Sequence, residues 1–370
     1  MSYARAQPSV QEVAAVVGRA QVLDARLATP VAQAPPRITL SLRRLLLLYL
    51  IVPACLAVVA VDAFLLGGAL RPHLPRKPET YLLYELFLGW PHIVASTIIL
   101  TTNREYVSAY RHRLIVASAV VIAFFGIGEF TLPRNVLFFV AATATIVHVL
   151  KQQVGIGRGA LRPDGATARH YTTWGWTAIV AGVVLYNGLY LDDFDPYKGW
   201  LVAASGALAL ATVVQAWRIQ QRTDARLGHA FLWSNTSMVV VGVLFYASGY
   251  GMFAIVVPRV VHDITAFAFY VAHDVNKHGA RPANRLYRFA RRIPAGIYWV
   301  TPVLAIVTAY LLAEHGNAAF HWATGGILRE TVPKAVSLGV LGYLGMMHYY
   351  YESFTWKSGS PYRAHISMRA

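Results

Sequence analysis

Apolar residues fall along this chain in ten long runs, near 43–66, 82–101, 113–132, 135–152, 173–191, 199–218, 230–250, 251–274, 294–313 and 332–352. Each is close to the roughly 20 residues that cross a hydrocarbon layer as a helix. In lipid the backbone must satisfy its own polar groups, so runs of this length predict helices. The pattern therefore predicts an all-α, polytopic integral-membrane helical bundle of about ten transmembrane helices. The splits inside 113–152 and 230–274 are the least marked, because only Leu132-Pro133-Arg134-Asn135 and Ser248-Gly249-Tyr250-Gly251 divide them.

Charge adds a direction. The chain of 370 residues carries a formal net charge of +16 and a mean hydropathy of +0.45. Alternate loops hold most of the Lys and Arg, including Arg104, Arg111 and Arg113, then Lys151, Arg158, Arg162 and Arg169, and later Lys277, Arg281, Arg285, Arg288, Arg291 and Arg292. The acidic cluster Asp192, Asp193 and Asp195 falls on the other side. This is the positive-inside pattern, and it places both termini in the cytoplasm of a multi-pass protein of a cell membrane, expected to be a bacterial inner membrane. Arg71, Arg76 and Lys77 run against it. Basic residues shared among loops do not make one nucleic-acid-binding face, so no nucleic-acid partner is expected.

Three segments follow: a cytoplasmic tail over 1–42, the transmembrane domain over 43–352 and a second cytoplasmic tail over 353–370. The first forty residues have no apolar core of the kind a cleavable signal needs, and Val10 to Leu27 is expected as a cytoplasmic helix. The single cysteine, Cys55, rules out a disulfide or a multi-thiolate metal site within one chain.

Candidate chemistry sits inside the runs. Residues 258–278 carry two His-Asp pairs, His262-Asp263 and His273-Asp274, together with Arg259. An ionisable group at mid-membrane costs several kcal/mol and usually faces a protein interior with a task. Arg259 and Asp263, at i and i+4, are expected to form a buried pair. His262 and His273 share a helix face to within about 20° but are separated by about 16 Å along a straight axis. Pro91 is expected to kink the second run just before His92. The fourth run ends with His148, Lys151 and Gln152, and the Gly155-Ile156-Gly157-Arg158 segment reads as the loop that ends the helix. The last run carries His348 and Glu352 on one face at i and i+4.

By position in the runs, His92 and His262 fall near the middle, and His148, His273 and His348 in the inner third. Five histidines from four helices of one direction thus share the cytoplasmic half. This predicts a metal centre of His148, His273 and His348, completed by His92 or His262. Asp274 and Glu352 are the expected carboxylates, and Arg259, Asp263 and Asp274 the expected catalytic residues. Imidazole with carboxylate suits iron, zinc or copper. In kind, the set resembles the histidine-rich integral-membrane non-haem iron oxygenases: desaturases, hydroxylases and bacterial carotene-cleaving enzymes. The HxxxH and HxxHH boxes of desaturases are absent. The resemblance implies non-haem iron, an electron donor, and oxidation of an acyl or isoprenoid/carotenoid substrate entering from lipid. Two other readings stay open. Haem b is one, held by His92 with His262 or by His148 with His348. A proton-coupled transporter using Arg259, His262 and Asp263 is the other.

Overall fold

The computed structural model describes residues 38–75, 81–282, 284–323 and 340–369. The expected helix at Val10 to Leu27, the basic residues Arg76 and Lys77, and the first part of the run 332–352 lie outside the described residues.

The chain is helical almost throughout. Its main helices are α1 (Leu42–Leu65), α2 (Leu82–Thr102), α3 (Arg104–Ile127), α4 (Arg134–Leu161), α5 (Gly165–Tyr190), α6 (Lys198–Gln220), α7 (Arg226–Ala247), α8 (Gly251–His278), α9 (Arg285–Ala290), α10 (Gly296–Ala323) and α11 (Val340–Thr355). Among the described residues eight of these, α1 to α4, α6 to α8 and α10, are long and apolar enough to cross a membrane. Helix α5 forms where the run 173–191 predicts it, but its Thr, Trp and Gly residues dilute the apolar stretch. The described part of the last run, α11, is 16 residues long.

The packing is apolar outside and polar within. Phe64, Leu83, Ile115, Val120, Leu210 and Val303 are all more than half exposed on the outer surface. His92, His262, Asp263, His273, Asp274, His348 and Glu352 are buried. Exposed apolar surface on this scale needs an apolar surrounding, which is what a bilayer supplies. Helix α8 is the central post and touches α1, α2, α4, α7 and α10. Helix α6 packs at the edge, on α5 and α7.

Two departures from the apolar pattern matter for the site. Helix α4 does not stop near residue 152 but runs through the Gly-rich segment to Leu161, and Arg162 ends it in a left-handed conformation at φ 49°. Glycine lowers helix propensity without forbidding the helix, and in this segment Gly157 is the closely packed one, since a Cβ there would lie 2.7 Å from the Tyr171 hydroxyl. Gly228 at the start of α7 approaches so closely that a Cβ would lie 2.5 Å from the Leu161 Cα. Helix α2 in turn widens into one π turn over Glu85–Gly89, just ahead of Pro91. The strain of the proline is thus taken up before His92, in a turn type that recurs at functional sites.

The segments flanking the bundle meet. Strand β1 (Thr39–Ser41) pairs in parallel with β2 (Ser367–Arg369), Leu40 opposite Met368. Asn276 near the end of α8 clamps both: its Oδ1 accepts from the Ile38 N–H at 2.6 Å, and its Nδ2 lies 2.9 Å from the carbonyls of Ile38 and His365.

Candidate metal centre

Four histidines from four helices converge: His92 on α2, His148 on α4, His262 on α8 and His348 on α11. Each offers one ring nitrogen, and these atoms all lie within 4.8 Å of one another. Nitrogens bound to one ion at about 2 Å lie about 3–4 Å apart, so small side-chain movements would complete a shell. The rings form a closed square of edge-on contacts, His92–His262–His148–His348, with neighbouring centroids 5.2, 4.8, 4.7 and 4.8 Å apart in turn.

Helix position explains the convergence. His92 stands ten residues from each end of Leu82–Thr102, and His148 thirteen from each end of Asn135–Leu161. His262 lies 11 residues from Gly251 and 16 from His278, and His348 lies seven before Thr355. On α2, α4 and α8 the centre therefore lies near half-height.

Among the described residues, Nε2 of His92, His148 and His348 and both ring nitrogens of His262 are buried without a hydrogen-bond partner. Each such group costs about 1–3 kcal/mol if left unsatisfied. Each of the four rings carries at least one such nitrogen, and a cation held among the four rings would relieve them. The residues present fit a metal ion, and they supply no thiolate.

The outer contacts set the imidazoles. His92 Nδ1 lies 2.6 Å from the Gly89 carbonyl and 3.2 Å from Asp263 Oδ1, so it carries the proton and Nε2 is left as a lone pair. His348 Nδ1 lies 2.7 Å from Ser96 Oγ. The serine hydroxyl itself donates to the Ile93 carbonyl at 2.7 Å, so it can only accept from His348, and that Nε2 is free as well. Ser96→Ala should weaken metal affinity about 10–100-fold with the fold intact. Titration against a coloured chelator checks it, and unchanged affinity would mean that the hydroxyl does not orient the ring.

Glu352 stands at the edge of the centre. Its Oε2 is 3.5 Å from His148 Nε2 and its Oε1 3.7 Å from His348 Nδ1, while Oε1 accepts from the Tyr270 hydroxyl at 2.5 Å. On another side Asp263 receives the Tyr84 hydroxyl, and its Oδ1 is 3.8 Å from His262 Nε2.

Three expectations need correction. First, Arg259 does not pair with Asp263. Its Nη1 lies 2.9 Å from Glu85 Oε1 on the facing helix, and its guanidinium sits 4.6 Å over the Tyr84 ring. Asp263 is instead taken up by Tyr84 and His92. Second, His273 is not with the other four. Helix α8 is continuous from Gly251 to His278, so the roughly 16 Å rise between His262 and His273 is kept. Third, Asp274 goes with His273.

That second group is internally satisfied. His273 Nδ1 lies 3.0 Å from Asp274 Oδ1 and its Nε2 2.7 Å from the Tyr106 hydroxyl. Asp274 also accepts from Tyr287 at 2.9 Å and from Thr301 at 2.5 Å. The network ties the end of α8 to α3, α9 and α10. His365, 5.6 Å from the His273 ring, is pushed down to about 4 by burial, with His273 and Lys277 adding to the effect, and so stays neutral near pH 7.

Sequence reasoning passed over Glu85, Tyr84, Ser96 and Tyr270. Two of these carry a signal: Glu85 is seven residues before His92 and Ser96 four after it, both on the face of His92.

Comparison with protein-family models, with curated proteins and with solved structures finds no match for this chain. The fold and the site define a class on their own terms: an apolar multi-helix bundle with four buried histidines that could hold a metal ion.

Proposed function

We propose that the chain is a membrane metalloenzyme that oxidises a lipid-soluble substrate at this centre. One observation carries the reading: four unpartnered imidazole nitrogens meet at half-height in a bundle with an apolar outer surface. His92, His148, His262 and His348 would hold the ion, with Glu352 as a further ligand or as an acceptor that fixes the imidazoles. Histidine with carboxylate and no thiolate favours non-haem iron, which when bound supplies redox chemistry. Around it, Asp263 keeps the proton on the outer nitrogen of His92, and the Arg259–Glu85 pair neutralises charge beside it. An acyl or isoprenoid chain is the natural substrate class, because the approach to the centre is through lipid-facing helices.

Two alternatives fare worse. A porphyrin needs an open slot between two axial rings, and these four rings are in mutual contact at 4.7–5.2 Å. For a transporter the mid-bundle cation would need to exchange partners, and Arg259 is held by Glu85 and Tyr84. Metal analysis and the optical spectrum of the purified protein are the test. About one iron per chain with no Soret band is the expected result. A Soret band would establish haem, and absence of any bound transition metal would remove the enzyme reading.

The orientation belongs to the same proposal: both termini and α9 face the cytoplasm. On a Cys55→Ser background, Arg288→Cys should escape an impermeant thiol reagent in intact cells and react after lysis. Labelling in intact cells would invert the topology.

A further inference from the structure

A cavity lies between the two histidine groups. Ser96, Tyr270, Tyr351 and Glu352 line it on the side of the four-histidine centre, and Tyr106 and Tyr362 on the side of His273. It encloses about 20 Å³, room for a single water-sized group. Its lining contains three buried polar atoms with no partner in good hydrogen-bond geometry among the described residues: the hydroxyl of Tyr362, the hydroxyl of Tyr351, which has only weaker interactions with Ser96 and Thr97, and Glu352 Oε2, which lies 3.5 Å from His148 Nε2. All three residues are at least nine-tenths buried.

The neighbours are already committed. Ser96 Oγ donates to Ile93 and accepts from His348. Tyr270 donates to Glu352 Oε1. His273 gives its Nδ1 proton to Asp274, so Tyr106 must donate to its Nε2, which leaves the Tyr106 oxygen as an acceptor. Two phenol donors and two acceptors thus line one small space. A cation does not fit two donors, and an apolar group would leave all of them unsatisfied. A water satisfies all four, and an alcohol hydroxyl accepts from both phenols and donates to one of the two acceptors.

We infer that this cavity binds one neutral hydroxyl-type oxygen, either a water or the terminal hydroxyl of a lipid-soluble molecule, held by Tyr351, Tyr362 and Glu352. The inference stands on the cavity and its unpartnered atoms and does not need the metal. If the source is a lipid hydroxyl, the polar end of that molecule lies beside Glu352 and Ser96, which both touch the four-histidine centre.

The test uses the full chain in lipid nanodiscs. Tyr351→Phe and Tyr362→Phe should each lower Tm by several degrees, because each removes a donor to the bound oxygen. The double variant should lose less than the sum, because both hydroxyls serve one guest. Removing an unpartnered hydroxyl from a dry cavity would leave Tm unchanged or raise it. Unchanged or raised Tm in both variants, or strictly additive losses, would overturn the inference. Solvent extraction and mass spectrometry of the same samples separate the sources. A hydroxylated lipid present one per chain in wild type and lost in both variants identifies the lipid hydroxyl. Lowered Tm with no such lipid identifies water. Metal content measured alongside should not change in either variant, so a failed metal reading and a failed oxygen site give different results.

Discussion

His148→Ala and His348→Ala should strip the purified protein of its metal, while His273→Ala should leave the metal in place and cost stability instead. The contrast follows from where each nitrogen points. His148 and His348 present partnerless Nε2 atoms to the shared centre. Losing one of four ligands removes a bond of about 2 Å that nothing nearby replaces. Metal content after dialysis should fall to a tenth of wild type or less in either variant. His92→Ala and His262→Ala belong to the same group. His273 uses both of its nitrogens, on Tyr106 and Asp274. Its removal leaves two buried groups short of a partner, at about 1–3 kcal/mol each. The measurements are metal per chain by mass spectrometry and thermal unfolding on the same samples. Metal retained in all four cluster variants would end the case for the centre. Metal lost equally in His273→Ala would mean that the two histidine groups act as one.

How much of this was legible beforehand depended on which quantity was being read. Apolar runs located the helices well, because run length in lipid is set by membrane thickness and by the backbone's need for internal hydrogen bonds. Depth within the helices was read less well. The Gly155 to Gly159 segment and its Arg158 look like a membrane edge, yet α4 continues to Leu161. That error of about nine residues moved His148 from the middle into the inner third and put it in company with His273. Side-chain composition marks where helices like to end, whereas packing against α7, as at Gly228, decides where this one does. The helical rise set His262 and His273 about 16 Å apart on a straight helix, but it did not say whether the helix bends or which of the two belongs with His148 and His348, and the expected centre took His273. What the sequence could not supply was the partner across a helix interface. Asp263 at i+4 was the natural mate for Arg259, and Glu85 replaced it because a facing helix, with a π turn next to Gly89, brings that carboxylate inward. A side chain at Gly89 would collide with the Glu85 carboxylate, so the glycine is part of the arrangement.

That replacement changes which pair should carry the electrostatic cost of the bundle. Glu85→Gln should destabilise the protein by about 3–5 kcal/mol, because it strands the Arg259 charge in an apolar interior. Both side chains are nearly enclosed, at 8% and 11% exposure, and lie 2.9 Å apart. Arg259→Gln should cost a similar amount by stranding Glu85. The double change should cost much less than the sum, since neither charge is then left behind and the two amides can bond to each other. Arg259→Lys should not substitute fully, because the ammonium lacks the planar guanidinium that stacks on Tyr84 while reaching Glu85. The pair joins α2 to α8 close to His92 and His262, so it also fixes the register in which those two rings meet. Metal affinity should therefore fall in both single variants and partly recover in the double. Thermal unfolding in nanodiscs and chelator titration read the two effects separately. Losses that simply add across the three variants would mean that Glu85 and Arg259 are neighbours without being partners.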